Sequence, residues 1–354
     1  MKKLSTLRLA AVFAGCFLGA GYVSGQELWQ YFGAFGTRGF VGLCVSAALL
    51  YLMGVLLLRL AQRTGVIDAE RLAVPWDFRV LRAAFSVLEL LMLFAVVSIM
   101  CAGAGALAEQ LFSLPHAAVS AVFALAVLAC ALTGLQGIVT VFSFSVPCLV
   151  LSAVGIGAVF VLRGGMPELS AAAENPMLGG WFLSALNYAS YNMFGAVAIL
   201  APFGHLAGKR STVTGGLALG CAGLLLIAVS VLLSAASVPG AAEAELPMLF
   251  AAQSLSPWLG SFYALLMLFA MFGTSLSCEV SIVNWMAAES AAIQRHRTFF
   301  TFTVSAAAFA AGLFGFGRLI GVLYPVFGYA GAAFLVTMAW HSVSVSLKKR
   351  KTET

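Results

Sequence analysis

Leu18-Gly19-Ala20-Gly21-Tyr22-Val23-Ser24-Gly25-Gln26-Glu27 interrupts an apolar run that begins near Leu7 and continues to about Phe35. Glycines at 19, 21 and 25 remove side chains where a spanning helix would present Leu or Val. Ser24 and Glu27 stand at the S-x-x-E spacing of a capping box, which starts a helix. The stretch predicts two half-helices joined by open backbone. In lipid, such backbone is tolerated only where protein or a water-filled cavity surrounds it. A binding site built from main chain is therefore expected here.

Composition places the whole chain in a membrane. Of its 354 residues, 62% are hydrophobic and 9% charged, with mean hydropathy +1.02. A soluble domain carries about 25% charged residues, so this is an integral membrane protein with no room for a separate soluble domain. The net charge of +6 reads as basic cytoplasmic loops, not as a nucleic-acid surface. The seven cysteines are scattered through apolar segments without C-x-x-C spacing, so they read as small buried hydrophobes. Lys2-Lys3 and the following apolar stretch have the look of a signal peptide, and Phe13-Ala14-Gly15-Cys16 of a lipoprotein cleavage box. Continuation of the apolar pattern through Trp29 favours a retained span instead.

Ten apolar segments are long enough to span, at about 7–33, 39–60, 82–107, 116–133, 138–162, 179–204, 212–236, 258–288, 299–317 and 319–341. With both termini in the cytoplasm, only Arg38, Arg163 and Arg318 of the 19 Lys and Arg fall outside. Ten spans divide into repeat one (about 7–162) and repeat two (about 179–341), followed by a basic tail at 342–354. Five spans per half make the halves opposite in orientation. The loops agree: 61–81 and 237–257 are matching connections on opposite sides, each with the mixed composition of a short surface helix. An inverted repeat with a broken first span demands a broken sixth. Asn187, Tyr188, Ser190, Tyr191 and Asn192 crowd the middle of that span, where polar side chains are expensive and poor helix formers. Paired interruptions point to a transporter's binding site.

Gly19-Ala20-Gly21, Ser24-Gly25-Gln26-Glu27-Leu28-Trp29 and the Gly33/Gly36 turn resemble the first span of YkvI-type membrane proteins of the amino acid–polyamine–organocation superfamily. Gly19-Ala20-Gly21 is also similar to the Gly-x-Gly of the unwound first span in sodium-coupled LeuT-fold transporters. The resemblance implies an all-α, single-domain LeuT-like fold with discontinuous helices one and six. It implies a sodium ion held by main-chain carbonyls such as those of Gly19 and Tyr22 and by Thr274 and Ser275, which match a Thr-Ser pair on span eight. Tyr22 stands where some sodium-coupled relatives carry a substrate-binding asparagine, so a second sodium site is not expected. Spans 1, 2, 6 and 7 would rock against 3, 4, 5 and 8.

Candidate substrate-binding residues are Gly19, Ala20, Gly21, Tyr22, Ser24, Gly25, Asn187, Tyr188, Ser190, Tyr191 and Asn192. The half-helix starting at Ser24 would meet a substrate carboxylate with its positive end. Glu89 and Glu279 fall at similar depth on spans three and eight, and an ionisable group within a span is a functional candidate, here for carrying a coupling proton. Glu27 reads at least as well as a capping residue as a ligand. His116, His205, His296 and His341 sit at span ends and read as interfacial. No H-e-x-x-H, P-loop or G-x-S-x-G arrangement points to an enzyme. The resulting expectation is secondary transport of a small polar solute, an amino acid or related zwitterion, across a bacterial-type inner membrane. No cofactor beyond sodium or a proton as coupling ion is expected, and no nucleic acid; the oligomeric state stays open. The alternative is an amino-acid-sensing receptor of the same fold that moves nothing.

Overall fold

The computed structural model describes residues 4–66, 68–74, 78–133, 145–167, 172, 174–206 and 208–353, with side chains for all of these except 145, 146, 205 and 346–353. Lys2 and Lys3, the start of the fifth predicted span, and the side chains of His205 and of Lys348 to Lys351 lie outside that description. The described residues form helices and no strands. The first predicted span is in pieces: α1 (Thr6–Gly15), α2 (Ala20–Ser24), α3 (Gln26–Tyr31) and a 3-10 turn (Gly33–Phe35). There follow α4 (Thr37–Thr64), α5 (Ala69–Ala73), α6 (Arg79–Phe112), α7 (His116–Thr133) and α8 (Ser145–Gly164). Then come α9 (Trp181–Leu200) with a 3-10 extension (Ala201–Leu206), α10 (Arg210–Ser237) and α11 (Pro247–Leu255). The chain ends with α12 (Pro257–Glu289), α13 (Ala291–Arg295), α14 (Arg297–Gly312) and α15 (Phe316–Glu353).

Seven of these helices are long and apolar enough to cross a membrane: α4, α6, α7, α8, α10, α12 and α15. The 20-residue α9 and the 16-residue α14 also pack into the bundle, as α9 against α4 and α15, and α14 against α6 and α7. Each long connection carries a short helix, α5 in the first and α11 in the second. Neither simply lies on a surface. Leu72, Ala73, Met248 and Leu249 are buried, and α15 holds α5 through Thr337 Oγ1 donating to Ala73 O (2.5 Å) and His341 Nδ1 donating to Leu72 O (3.1 Å).

The interruption at 19–25 is present, and its causes are visible. Gly19 is extended (φ −86°, ψ 173°), ending the run from α1, and Gly25 takes the left-handed conformation (φ +86°) that separates α2 from α3. A side chain at Gly25 would be strained by that φ and would also crowd Val231, 3.0 Å from the added Cβ. The sixth span differs from expectation. α9 is one unbroken helix through 187–192, so those residues do not unwind. The Asn and Ser side chains of this stretch find partners without opening the backbone. Ser190 Oγ donates to Leu186 O (2.8 Å) and Asn192 Nδ2 to Tyr188 O (3.1 Å), while Ser184 and Asn187 bond to neighbouring helices.

α15 contains Pro325, which has no N–H to offer the carbonyl of Gly321. Asn175 Nδ2 donates to that carbonyl instead, at 2.8 Å. The predicted boundary at 341 between the last span and a tail is not a structural break, since α15 runs on to Glu353.

The tightest joint near the break is between Gly39 of α4 and the Phe32 carbonyl, which a Cβ at Gly39 would strike. Gly39→Ala should therefore lower stability by roughly 2–3 kcal/mol, with a Tm several degrees below wild type. Gly15→Ala, where nothing lies within 4 Å of the added carbon, should leave Tm near wild type. Thermal unfolding of the two purified variants in detergent checks both.

Candidate functional site

The side chains around the break converge on Glu27. It sits in the first turn of α3, only 4% exposed, in a largely apolar interior. Its Oε1 accepts the hydroxyl of Tyr191 from α9. Its Oε2 points back across the break, so that a Cβ on Gly21 would lie 2.7 Å from it. The carboxylate thus takes up space that a side chain at Gly21 would occupy. Tyr188 and Asn192 also lie beside it. Among the described residues no Lys, Arg or His forms an ion pair with Glu27. The capping-box reading of Glu27 is corrected: Gly25 is the residue preceding α3, and the glutamate turns into the protein instead of back to its own backbone. Ser24 does the local work, with its Oγ donating to Gly21 O (2.9 Å) and accepting from Gln26 N–H (3.3 Å).

Aromatic rings close over this carboxylate. Tyr191 stacks on Tyr324 of α15 with centroids 4.6 Å apart, and Tyr31 meets Tyr188 edge-on at 5.2 Å. Tyr31, one turn after Glu27, also donates its hydroxyl to Asn187 Oδ1 at 3.0 Å. Asn187 Nδ2 then donates to Pro325 O at 2.9 Å, tying α3, α9 and α15 together. Further bonds hold the pieces in place: Ser184 Oγ to Tyr31 O (2.7 Å), Ser46 Oγ to Ala185 O (2.9 Å) and Tyr263 OH to Val23 O (2.6 Å). Tyr22 donates its hydroxyl to Leu224 O at 2.7 Å.

The site is closed in this conformation. A cavity of about 20 Å3, room for about one water, lies beside it between Phe17, Tyr22, Ser46, Tyr188, Cys221 and Leu224. The Tyr188 hydroxyl is buried and bonded to nothing. A solute larger than water needs the rings to move before it can reach Glu27.

Of the sequence-derived candidates, Gly21, Tyr188, Tyr191 and Asn192 meet at Glu27, and Asn187 supports them from one shell out. Ser190 bonds only its own helix. Gly19 O accepts from Tyr22 N–H (3.1 Å) and Val23 N–H (3.2 Å), and Tyr22 O from Gly25 N–H (3.3 Å), so both carbonyls are already engaged. Ser275 is fully buried with an unbonded Oγ, and Thr274 is half-buried. Glu89 and Glu279 are not at one depth. Glu279 acts on Cys101 of α6, and Glu89 lies 12 residues back along that helix, about 18 Å at 1.5 Å per residue. Glu89 instead faces Glu70 of α5, whose Oε2 accepts from Ser86 Oγ at 3.0 Å. His116 is not merely interfacial, because its Nε2 donates to Ala102 O at 3.0 Å. Tyr31, Tyr263 and Tyr324 were not singled out by sequence. Tyr31 had a signal, the i, i+4 spacing from Glu27, whereas the others depend on long-range packing.

No protein-family model matches the chain. It is 27% identical over 338 residues to the "Uncharacterized membrane protein YkvI" of Bacillus subtilis (strain 168), covering 94% of this chain and 95% of that one. It is 22% identical to "Uncharacterized protein YyaD" of the same organism, over 93% and 94% of the two chains. Among solved structures it is similar to a mutant of the manganese transporter of Eremococcus coleocola. There the TM-score is 0.50 at 15% identity, over 94% of this chain and 85% of that one, a likeness of fold.

Asn187→Ala should strip Tyr31 OH and Pro325 O of their partner and lower stability by about 1–3 kcal/mol. Ser190→Ala, which removes a bond within one helix, should change it by less than about 1 kcal/mol. Comparing the Tm of the two variants separates a bracing asparagine from a locally satisfied serine.

Proposed function

We propose that this chain is a secondary active transporter of a small polar solute carrying a positively charged amino group, an amino acid or related zwitterion. The observation that carries the reading is Glu27: a carboxylate 4% exposed, without a cationic partner among the described residues, at a break in a helix and under a lid of tyrosines. A buried carboxylate needs a compensating charge or proton, and an ammonium group supplies one. The Tyr188, Tyr191 and Tyr31 rings around it add cation–π attraction. The carboxylate end of a zwitterion finds less. α3 has only six residues, and its Gln26 N–H is already taken by Ser24.

Ten crossings arranged as two inverted five-helix repeats, in the manner of LeuT-like transporters, account for the order of helices and the matching loop helices α5 and α11. Both termini would then lie in the cytoplasm of a bacterial-type cell. The unbroken α9 is a departure from that pattern. Alternating access fits a site with space for about one water, because solute entry requires the bundle to open. Coupling runs through sodium at Gly19, Tyr22, Thr274 and Ser275, for which the unbonded Ser275 hydroxyl is the support, or through a proton on Glu279 or Glu89.

Uptake and counterflow in proteoliposomes, across a panel of radiolabelled amino acids and amines, test the reading. Wild type should accumulate at least one of them under a sodium or pH gradient. Glu27→Gln, which keeps the shape and removes the charge, should cut uptake at least tenfold, and Tyr191→Phe should cut it less. Saturable binding without counterflow would instead favour a receptor.

A further inference from the structure

A second buried carboxyl lies outside the solute site. Glu279 of α12 is 1% exposed, and its Oε1 accepts the hydroxyl of Ser305 from α14. That bond breaks a local habit. Several hydroxyls in the bundle turn back on their own backbone: Ser98 on Phe94 O, Ser230 on Leu226 O, Ser281 on Ser277 O, Thr301 on Arg297 O and Thr303 on Phe299 O. Thr301 and Thr303 are on the same helix as Ser305. Ser305 alone among these is turned across a helix interface to meet a carboxyl.

The surroundings decide what that carboxyl holds. Elements α2, α6, α7, α8, α11, α13 and α14 pack on α12. From them, the titratable group facing Glu279 is the Cys101 thiol of α6, and no Lys, Arg or His of the described residues acts on it. A buried carboxyl without a cationic partner needs a proton or another compensating charge. A hard metal cation gathers several oxygen ligands, whereas the side-chain oxygen bonded to this carboxyl is that of Ser305 alone, the Ser275 hydroxyl one turn back on α12 being unbonded. A proton needs only what is present. We propose that Glu279, positioned by Ser305, binds and releases the proton that drives transport, at a site separate from the solute carboxylate Glu27. This rests on the transporter reading and names its coupling ion.

The proton site can be read without any solute. Infrared pH-difference spectra of the purified protein in lipid should contain a protonated-carboxyl band that is lost in Glu279→Gln. The band should shift in frequency in Ser305→Ala, which guards against a Glu279 variant that fails to fold. It should persist in Glu27→Gln and in Glu89→Gln. In proteoliposomes, pH-driven uptake of whichever panel solute the wild type accumulates should fall at least tenfold in Glu279→Gln. Solute exchange without a gradient should be retained. The proposal is overturned if the band survives in folded Glu279→Gln, if Ser305→Ala leaves it unmoved, or if the Glu279 variant still follows the pH gradient. It is equally overturned if a sodium gradient alone drives wild-type uptake and Thr274→Ala abolishes it. A wild type that takes up nothing while still showing the Glu279 band would sink the transporter reading instead, so the two failures are distinguishable.

Discussion

A carboxylate placed in an apolar interior with no cation beside it constrains everything nearby. Glu27 imposes that constraint here. Its Oε2 fills the space where a side chain at Gly21 would lie. Its Oε1 needs the Tyr191 hydroxyl, which fixes the rotation of α9 against α3. Tyr191 in turn lies flat on Tyr324, which sets the height of α15. Each step is a packing or hydrogen-bond requirement, and together they bring three helices distant in sequence to one point.

The polar residues of α9 show how a spanning helix can carry many hydrogen-bonding groups and remain whole. Asn and Ser in lipid need partners, but unwinding is only one way to find them. Ser190 and Asn192 use their own helix, while Ser184 and Asn187 use Tyr31 and Pro325. Composition counts how many polar groups must be satisfied. It does not say whether backbone, neighbour or ligand will satisfy them, which is why the interruption expected at 187–192 is absent while Tyr188, Tyr191 and Asn192 still meet at Glu27.

The break at 19–25 was legible because its cause is local: glycine conformations need no partner from elsewhere in the chain. So was membrane character, through composition, and so were the short helices in the two long connections. Glu27 was half legible. Its spacing from Ser24 matched a cap, and nothing in the sequence could reveal that a tyrosine 164 positions away would take its oxygen. The relative depth of Glu89 and Glu279 failed for a similar reason. Depth was read from distance to each span's end, whereas the offset of α6 along α12 is set by packing, which brings Cys101 and not Glu89 near Glu279.

The amide contacts along α15 carry one more implication. Gln30, Asn175 and Asn187 donate to the carbonyls of Gly317, Gly321 and Pro325, at 2.9, 2.8 and 2.9 Å. These acceptors are spaced by four residues, close to one helical turn, so they form a ladder along a single face. Further along the same helix, Thr337 and His341 bond the carbonyls of Ala73 and Leu72 in α5. One continuous rod is thereby tied by hydrogen bonds to the broken first span, to α9 and to the first loop helix, so a displacement of α15 has to be felt at all three together.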